Sequence, residues 1–575
     1  MLYKNCIRVL GLCSLLVFAC DLPAAEIHWT GNGENNHWIN ITNWDSFTVP
    51  GTSDDVTIDK PGTNDVLLEG TFFAHNLTLG GDATTLTLTG NGLLVCSGSA
   101  SIGTNAIVNS SGTLSVEGSM SLMGGCNWMQ GWLGDDITIG SFGWLNIIGS
   151  QTKVLAGPLT NNGLITVWNA EIGAAFSPKV QLVNQSTMVI RTNFIISAAP
   201  GFLDNRGTIL APADGGTVVL AMDCLTNTGT IRAETNATLE IRPNSQLKMM
   251  FRQGTIFNGP GLIRFVDAGG GAVALSGTVT LNTTVESTGI LFGSDGSFVT
   301  SAFLGGPGLF RWLGGYLGGV TFNPELQVEI AGYETKYIQD GCTNLGTVRW
   351  IGGGGVLETQ FGRFVNFGTF IVQSNAVVQS GHFDNVGTLE LNRGGLMIEN
   401  GPSDACHFSS DSIIQVDLGS ATPWGLDGGW LGFWYNAPLA GTLKVVLTNG
   451  LQPSAGQTFP VMEYFYLDGQ FSSIQYPSLP DGLGWLADYG TGVLTLMVGQ
   501  SAPMESLVRT DDGTFQFSIT NDMASKGVVQ ATTNLDVPVV WEDLATYSPF
   551  AGPLVFSDLQ ATNYPQRFYR ALLVP

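Results

Sequence analysis

The densest group of side chains able to bind a ligand lies near residue 430. Flat aromatic faces stack on sugar rings, and a carboxylate accepts hydrogen bonds from sugar hydroxyls. The segment therefore predicts either a carbohydrate platform or, as the favoured interpretation, a group of rings that closes the end of a hydrophobic core. The predicted platform consists of Trp424, Asp427, Trp430, Trp434 and Tyr435.

Catalysis on a sugar needs paired ionisable groups in fixed geometry. The adjacent carboxylates of this chain are Asp54-Asp55, Asp135-Asp136 and Asp511-Asp512. Neighbouring residues on a strand point to opposite faces, so no such pair is by itself a catalytic pair. Solvated turns are the favoured interpretation, and no catalytic residue is assigned.

Metal and cofactor sites also lack a sequence signal. The five histidines have no metal-ligand spacing such as His-x-x-x-His. His382 lies close to Asp384 in sequence, and a histidine on a surface turn is the favoured interpretation. Glycine-rich runs such as 352–355 are not followed by a helical pattern, so phosphate binding is not indicated. No metal and no cofactor are predicted.

A repeated phrase organises the middle of the chain. It reads apolar residue, any residue, Asn, any residue, Gly, Thr, apolar residue, as in 203–209, 225–231 and 383–389. The steps between successive asparagines are 23, 21, 22, 117, 22 and 19 residues, and 117 is close to five further steps. The asparagines of the series are Asn161, Asn184, Asn205, Asn227, Asn344, Asn366 and Asn385.

A period near 22 residues accommodates three short strands and three turns. Segments such as 388–391 follow the phrase and alternate apolar with polar residues, which is typical of a strand with one buried face. Glycine accepts positive φ and asparagine tolerates left-handed conformations, so we expect a sharp turn at a fixed point of each coil. Stacked coils would align Asn above Asn in a hydrogen-bonded turn ladder.

These observations predict an all-β chain: a right-handed parallel β-helix with an N-terminal cap and β-sandwich-like C-terminal domains. The open ends of a solenoid need caps, and the flanking regions fit that role. The predicted divisions are a signal peptide over 1–25, a cap with the first coils over 26–100, the repeats over 101–415, a β-rich cap over 416–500 and a small C-terminal β domain over 501–575.

The first residues have the pattern of an export signal. Lys4 and Arg8 give a positive start, and an apolar stretch over 9–19 follows that is too short to span a bilayer. The signal ends either at a small-residue cleavage site near Ala25 or, less favoured because Phe18 fits a lipobox poorly, with lipid attached to Cys20. A secreted or outer-surface location is expected, with no transmembrane span in the mature chain.

Composition narrows the choice of partners. The formal net charge is −24 and no stretch gathers Lys or Arg, which excludes nucleic acid as a partner. Five cysteines follow the predicted signal without Cys-x-x-Cys spacing, so neither a zinc site nor a disulfide framework is indicated, although a pair on adjacent coils could bond. Extracellular polysaccharide and cell-surface components are the partners that remain.

The two ends of the chain carry a family resemblance. The opening contains Trp29-Thr30-Gly31, Trp38 and Asn43-Trp44, and the chain ends in a small β unit with Phe568-Tyr569-Arg570. Together with the repeats, these features resemble autotransporter-like or adhesin-like secreted β-helix proteins of the Verrucomicrobia and Planctomycetes group. The chain departs from true autotransporters because it lacks the run of alternating membrane strands that closes their barrel.

Two hypotheses on function follow. The first is a secreted or cell-surface protein of structural or adhesin-like type without catalytic activity. The second is a β-helix protein that binds or degrades polysaccharide. The missing cluster of ionisable residues favours the first, and the aromatic segment keeps the second open.

Overall fold

The structure is a computed structural model that describes residues 24–174, 181–196, 202–222, 224–243, 249–267, 271–293, 302–352, 355–401, 406–420, 427–521, 525–536 and 539–574. The predicted signal residues through 23, with Cys20, lie outside the described residues. The chain divides into two compact units. The first is Met1–Met188 with Ile196–Gly201, and the second is Val189–Ile195 with Phe202–Pro575.

The regular secondary structure of the described residues is almost entirely short strands, with two short 3-10 helices at Ile41–Asn43 and Ala561–Asn563. The strands up to residue 196 are β1 (Glu26–His28), β2 (Asp55–Ile58), β3 (Thr63–Leu68), β4 (Thr71–Ala74), β5 (Asn76–Leu79), β6 (Ala83–Leu88), β7 (Leu93–Cys96), β8 (Ala100–Ile102), β9 (Ala106–Ser110), β10 (Thr113–Val116), β11 (Ser119–Leu122), β12 (Gly125–Trp128), β13 (Gly131–Leu133), β14 (Asp136–Ile139), β15 (Trp144–Ile148), β16 (Lys153–Leu155), β17 (Leu159–Asn161), β18 (Leu164–Trp168), β19 (Ala170–Ala174), β20 (Gln181–Asn184), β21 (Thr187–Ile190) and β22 (Asn193–Ile196).

The next strands, up to residue 475, are β23 (Phe202–Asn205), β24 (Thr208–Ala211), β25 (Thr217–Met222), β26 (Leu225–Asn227), β27 (Thr230–Ala233), β28 (Thr238–Pro243), β29 (Met249–Phe251), β30 (Ile256–Asn258), β31 (Leu262–Phe265), β32 (Ala272–Leu275), β33 (Thr278–Leu281), β34 (Thr284–Ser287), β35 (Ile290–Phe292), β36 (Ala302–Gly305), β37 (Leu309–Trp312), β38 (Gly315–Phe322), β39 (Gln327–Ile330), β40 (Lys336–Asn344), β41 (Thr347–Trp350), β42 (Val356–Phe361), β43 (Phe364–Asn366), β44 (Thr369–Val372), β45 (Ala376–Gln379), β46 (Phe383–Asn385), β47 (Thr388–Leu391), β48 (Gly394–Glu399), β49 (His407–Phe408), β50 (Ile413–Leu418), β51 (Gly429–Leu439), β52 (Thr442–Leu447), β53 (Thr458–Gly469) and β54 (Ser473–Gln475).

The last strands are β55 (Leu483–Tyr489), β56 (Val493–Ala502), β57 (Met504–Arg509), β58 (Phe515–Asn521), β59 (Lys526–Thr532), β60 (Glu542–Tyr547), β61 (Gly552–Asp558) and β62 (Phe568–Val574).

In the first unit, three consecutive strands make one coil, and strands one coil apart pair in parallel. β2 pairs with β5, β3 with β6 and β4 with β7. These pairings define a first, a second and a third ladder. A parallel pair joined by one turn of chain, repeated coil after coil, is the pattern of a solenoid.

The second unit repeats this arrangement. β26 pairs with β29 in the first ladder, β27 with β30 in the second and β28 with β31 in the third, all in parallel. β38 and β40 each run through the first and second ladders, and they bend at Gly319 and Asp340, where φ is +62° in both. The predicted parallel β-solenoid is confirmed.

Alternation between the two faces of each strand fills the interior. In β50, every second side chain is buried, and the others are only partly exposed. Aromatic rings fill part of the interior: Phe251, Phe257 and Phe265 of one coil have centroids 5.3 to 5.6 Å apart. Removal of these apolar groups from water is the main force that holds the coils together.

The tryptophans of the opening form a cap on the first coil. Trp38 and Trp44 are fully buried with ring centroids 4.8 Å apart, and Trp29 packs against Trp44 at 5.0 Å. The amide N–H of Trp38 donates to the carbonyl of Leu67 in β3 at 2.8 Å. The coils themselves begin at β2, within the range predicted for the cap and first coils.

The coils continue past residue 415, where the sequence places the start of the second cap. β51 pairs in parallel with β48 and β53, and β52 pairs in parallel with β50 and β54. Only after β54 do the pairings become antiparallel, as β56 lies between β53 and β55. Antiparallel strands end the stack because they direct the chain back across it.

The end of the chain forms a small two-sheet unit. β57, β58 and β61 make one antiparallel sheet, which packs through Phe517, Ile519 and Phe556 against Val529 and Ala571 of the other. β62 also pairs with β56, so the sheet crosses the predicted boundary at residue 501.

The Phe-Tyr-Arg ending joins this small unit to the antiparallel cap. The guanidinium of Arg570 lies 4.3 Å from the ring centroid of Trp541 and donates to Oε1 of Gln530 at 2.7 Å and to the carbonyl of Trp485 at 3.4 Å. Trp485 belongs to β55 of the cap. The final residues therefore fasten the last domain to the strands that end the stack.

The asparagines of the repeat lie in register and hydrogen-bond along the stack. The side-chain nitrogen donates to the side-chain oxygen of the next asparagine at 2.7 Å from Asn344 to Asn366 and from Asn366 to Asn385, and all three residues are fully buried. Asn205 and Asn227 are linked in the same way at 2.5 Å, and Asn161 and Asn184, in the first unit, at 2.7 Å.

In the second unit, the asparagines lie at two different corners of the coil. Asn205 and Asn227 lie between the first and second ladders, because β24 and β27 follow them. Asn344, Asn366 and Asn385 lie between the second and third ladders, because β41, β44 and β47 follow them. The gap of 117 residues is therefore five coils of about 22 residues plus one further strand, not five coils alone.

Glycine has a different role in the phrase from the one expected. Within the described chain, no asparagine or glycine of the Asn-x-Gly phrases has a positive φ, so the expected left-handed turn is wrong. Instead, a Cβ built on Gly368 would lie 2.1 Å from the carbonyl oxygen of Gly346, and one on Gly387 would lie 2.2 Å from that of Gly368. Glycine is required because the turns of adjacent coils approach too closely for any side chain.

Candidate ligand-binding surfaces

The predicted carbohydrate platform is divided by the structure. Trp424 lies outside the described residues. Asp427 is exposed and precedes β51, at the corner between the third and first ladders, whereas Trp434 and Tyr435 lie at the corner between the first and second ladders. The structure therefore places Asp427 at a different corner of the coil from these two rings.

β51 is a strand within the stack, and its side chains alternate between core and surface. Leu431 and Phe433 are buried, with exposures of 0% and 2%. Trp430 packs on Gly395 of the preceding coil, where a built Cβ would lie 1.9 Å from the indole ring. Trp430 is thus an outer-face residue packed onto its neighbour, while Trp434 is 67% exposed.

Trp434 and Tyr435 belong to a group of surface rings on two adjacent coils, here called the aromatic patch: Trp434, Tyr435, Phe465 and Tyr466. The ring of Tyr435 stacks on Phe465 with centroids 6.0 Å apart and planes 12° apart. Tyr466 meets Tyr435 at 5.0 Å and Phe465 at 4.8 Å, edge to face in both cases. Phe465 is 67% exposed and Tyr466 is 50% exposed.

A buried asparagine fixes the chain beneath the patch. Oδ1 of Asn400 accepts the N–H of Tyr435 at 2.9 Å, and Nδ2 of Asn400 donates to the carbonyl of Asn436 at 2.7 Å. The pairing of β51 with β53 is irregular at this point, between Phe433 and Asn436. Asn400 therefore supplies the hydrogen bonds of a bulge that turns Trp434 and Tyr435 outward.

The half of the patch on β53 was not predicted from the sequence. The signal was the run Tyr464-Phe465-Tyr466 inside an alternating segment. Successive side chains of a strand point to opposite faces, so three consecutive aromatic residues require at least one ring on the surface. Tyr464 is the buried member of the run.

A second feature not predicted from the sequence is a row of ion pairs along the strands of the third ladder, here called the ion-pair ladder. Arg264 lies between Glu240 and Glu286, at 3.4 and 2.8 Å, and Arg311 lies between Glu286 and Glu329, at 3.1 and 2.8 Å. The side chains of Glu240 and Glu286 are only 10% exposed. These charges neutralise one another, so the ladder favours one register of the coils and is not a free charged surface.

Three of the aspartates weighed for catalysis, Asp54, Asp55 and Asp384, make hydrogen bonds or ion pairs within the fold. Oδ2 of Asp54 accepts the N–H of Gly51 at 2.7 Å, and Oδ1 of Asp55 accepts from Nδ2 of Asn76 at 2.8 Å. Asp384 pairs with Arg363 at 2.5 Å. Over the described ranges, no group of three or more His, Cys, Asp or Glu residues is placed to hold a metal ion.

Four cysteines of the described chain, Cys96, Cys126, Cys342 and Cys406, are free thiols. Cys96, Cys126, Cys342 and Cys406 are buried, and burial raises the pKa of Cys96, Cys126 and Cys342 to about 12. A thiol with so high a pKa is a poor nucleophile and metal ligand at neutral pH. These cysteines act as small apolar residues of the core.

Two lysines are buried in the same local arrangement. Each ammonium group donates to carbonyl oxygens two and four residues earlier, at 2.9 and 2.5 Å for Lys153 and at 2.7 and 3.0 Å for Lys336. Each ends a Gly-x-x-Thr-Lys segment eight residues before an asparagine of the repeat. Burial lowers the pKa of both lysines to about 8.

Comparison with known proteins gives no family: no protein-family model matches the chain, and no curated protein sequence matches it. Within the part of the chain that the structure describes, none of the helices has the length and apolar character needed to cross a membrane.

Proposed function

We propose that this chain is a non-catalytic, adhesin-like β-solenoid, secreted or held at the cell surface, that binds extracellular polysaccharide at the aromatic patch. The export-signal pattern of the first residues supports the location. The observation that carries the binding function is the patch, in which Trp434, Phe465 and Tyr466 are each at least half exposed on two adjacent coils.

Exposed rings in this arrangement suit a sugar chain. A sugar ring presents apolar C–H faces that stack on aromatic rings, and hydroxyls around its rim remain in water. Grouped exposed apolar residues mark binding surfaces more often than single ones do. Because the patch spans two coils, it offers neighbouring stacking positions to a polymer, which a free sugar fills only in part.

A structural role without a ligand is the second candidate. The asparagine columns and the ion-pair ladder favour it, because both features use polar side chains to hold the coils together and not to meet a ligand. The two candidate functions make different predictions for one measurement: the binding function predicts that polysaccharide retains the folded protein, and the structural role predicts that it does not.

The test is retention of the full chain, without its signal, on insoluble cellulose, chitin, xylan and pectin. The variant is Trp434→Ala with Phe465→Ala, and the matched control is Phe142→Ala with Tyr333→Ala, two rings that are 78% and 82% exposed on other turns. We expect the first variant to bind at least tenfold more weakly than the parent and the control to bind like the parent.

Equal retention of the patch variant and the parent would remove the patch from the proposal. Failure of the parent to bind any of the four polysaccharides would favour the structural role. Thermal unfolding of both variants separates loss of binding from loss of fold.

A further inference from the structure

A polar pocket of about 430 Å³ lies at the corner where third-ladder strands turn into the first ladder. Its lining comes from the turns after β41, β44, β47 and β52, from the end of β50 and from Asp427, two residues before β51. The lining residues used below are Asn392, Arg393, Asp417, Asp427 and Asn449. The volume lies in the lower part of the range of small-molecule sites, about 300–1,000 Å³.

Several side chains of the lining offer hydrogen-bond acceptors, and three of them carry the argument: Asn392, Asp417 and Asp427. Oδ1 of Asn392 is buried and receives no hydrogen bond from any described residue. Asp417 accepts one hydrogen bond, from Nε2 of Gln415 at 3.1 Å, and its partial burial raises the pKa of its carboxyl above the usual value. Asp427 is exposed at the rim. A buried acceptor without a donor is costly unless a ligand or water supplies one.

Arg393 is the charged hydrogen-bond donor of the described lining. The arginines of the ion-pair ladder, Arg264 and Arg311, each contact two glutamates, whereas the guanidinium of Arg393 has no hydrogen-bond or ion-pair partner among the described residues. Its five N–H groups are therefore available to a bound molecule.

The backbone around the pocket is shaped to leave this space. Asn449 has a φ of +53°, in the left-handed region, and its side chain lies over Gly419, where a built Cβ would be 2.6 Å from Nδ2 of Asn449. The same Cβ would be 1.8 Å from the carbonyl oxygen of Asp427. Gly419 thus lets the segments before β51 and after β52 approach each other at the pocket.

The charged and polar groups of the lining indicate which class of ligand the pocket binds. Two carboxylates beside a single arginine give the lining a negative balance within a chain of net charge −24, which disfavours an anion. The guanidinium in the same lining opposes a metal cation. A sugar hydroxyl both donates and accepts, so it satisfies the acceptors of Asn392, Asp417 and Asp427 and also the donors of Arg393.

We infer that this pocket binds one neutral monosaccharide unit, with hydroxyls that donate to Asn392, Asp417 and Asp427 and accept from Arg393. The inference rests on the proposed carbohydrate function and adds a site for a single sugar, at a different corner of the coil from the aromatic patch.

The test uses the folded full chain, without its signal, and free glucose, galactose, mannose and N-acetylglucosamine, each followed by saturation-transfer NMR and calorimetric titration. The variants are Asn392→Leu, Arg393→Met and Asp427→Asn, the last at an exposed position that leaves the fold intact. Arg349→Met is the control, because Arg349 lies on the third ladder and, among the described residues, its side chain donates only to Gln327.

We expect at least one of the four sugars to bind the parent and the control, and each pocket variant to bind it at least tenfold more weakly. Absence of binding by all four sugars would overturn the inference, as would equal binding by Asn392→Leu, Arg393→Met and the parent. Tighter binding of glucuronate or of Ca²⁺ alone than of the neutral sugars would also overturn it.

The two proposals fail separately. Retention on polysaccharide without monosaccharide binding leaves the aromatic patch and rejects the pocket. Monosaccharide binding that persists in the Trp434→Ala, Phe465→Ala variant, in a chain that no polysaccharide retains, supports the pocket and rejects the patch.

Discussion

The side-chain nitrogen of Asn344 donates to the side-chain oxygen of Asn366, one coil further along the stack, at 2.7 Å, and both residues are fully buried. The same nitrogen also donates to the carbonyl of Thr369 at 3.2 Å. A slip of one residue between these coils would break both hydrogen bonds and leave buried polar groups unpaired. The asparagine column therefore sets the register of the coils as well as stabilising them.

Asn366→Ala should destabilise the protein strongly. The change removes the acceptor used by Asn344 and the donor used by Asn385, and each buried group left unpaired costs about 1–3 kcal/mol. We expect a loss of about 2–5 kcal/mol in urea unfolding. The control is Asn127→Ala, which removes the half-buried side-chain hydrogen bonds that join Asn127 to Asn109 and to Asn146, where water can replace them. An equal loss of stability in this control would contradict the importance of burial.

Gly387→Ala should destabilise the protein much more than Gly289→Ala does. The new methyl group at residue 387 would lie 2.2 Å from the carbonyl oxygen of Gly368, whereas at residue 289 the nearest atoms are 3.5 Å away, which is ordinary contact. Overpacking of this kind costs about 1–3 kcal/mol, and we expect the upper end at residue 387. The melting temperatures of the two variants measure the difference. Similar melting temperatures would show that the turns can separate without cost.

Glu286→Gln tests the ion-pair ladder. Glu286 contacts both Arg264 and Arg311, so its neutralisation leaves two partly exposed arginines short of a partner, at a cost of about 1–2 kcal/mol for pairs intermediate between surface and core. Glu390→Gln is the control, since Glu390 lies in the same register between Ile371 and Gln415. Urea unfolding at low and high salt should show a difference between these variants that shrinks as salt rises.

Lys336→Met tests how the buried lysine makes the free energy of unfolding depend on pH. The pKa of Lys336 is about 8 in the folded chain, against 10.5 for an unperturbed lysine. Between these values the unfolded chain binds more protons than the folded chain, so this residue makes the free energy of unfolding rise with pH. We expect the parent to gain stability relative to Lys336→Met from about pH 8 to about pH 10.5. Parallel stability curves for the two proteins across this window would contradict the assignment.

Much of the fold could be predicted from the sequence, because a repeat of about 22 residues constrains every coil alike. The period, the alternation of apolar residues and the alignment of asparagines follow from residue spacing. The ion-pair ladder could not be predicted from the phrase, because Arg264 and Glu286 lie in coils where the Asn-x-Gly signal is weak. Arginine and glutamate alternate from coil to coil at this position, and this alternation is visible only once the strand pairings are known.

The candidate sites were less predictable. Trp434 and Tyr435 were identified from the local run of aromatic residues over 424–435, but Phe465 and Tyr466 lie about 30 residues further on and join them through the pairing of β51 with β53. Asp427 is close to these rings in sequence and lies at another corner in space. Closeness along the chain is a poor guide in a solenoid, because one coil carries residues from corner to corner and the next coil brings distant residues together.

The sequence by itself determined that the chain stacks in coils, since a periodic set of apolar residues can be buried only against its own neighbouring repeats. The tertiary structure alone decided which corner each asparagine occupies, why glycine follows it and which side chains meet on the surface. The physical reason is that these outcomes depend on distances between coils, which are set by the close approach of backbones such as those of Gly368 and Gly387 and not by the local preferences of any residue.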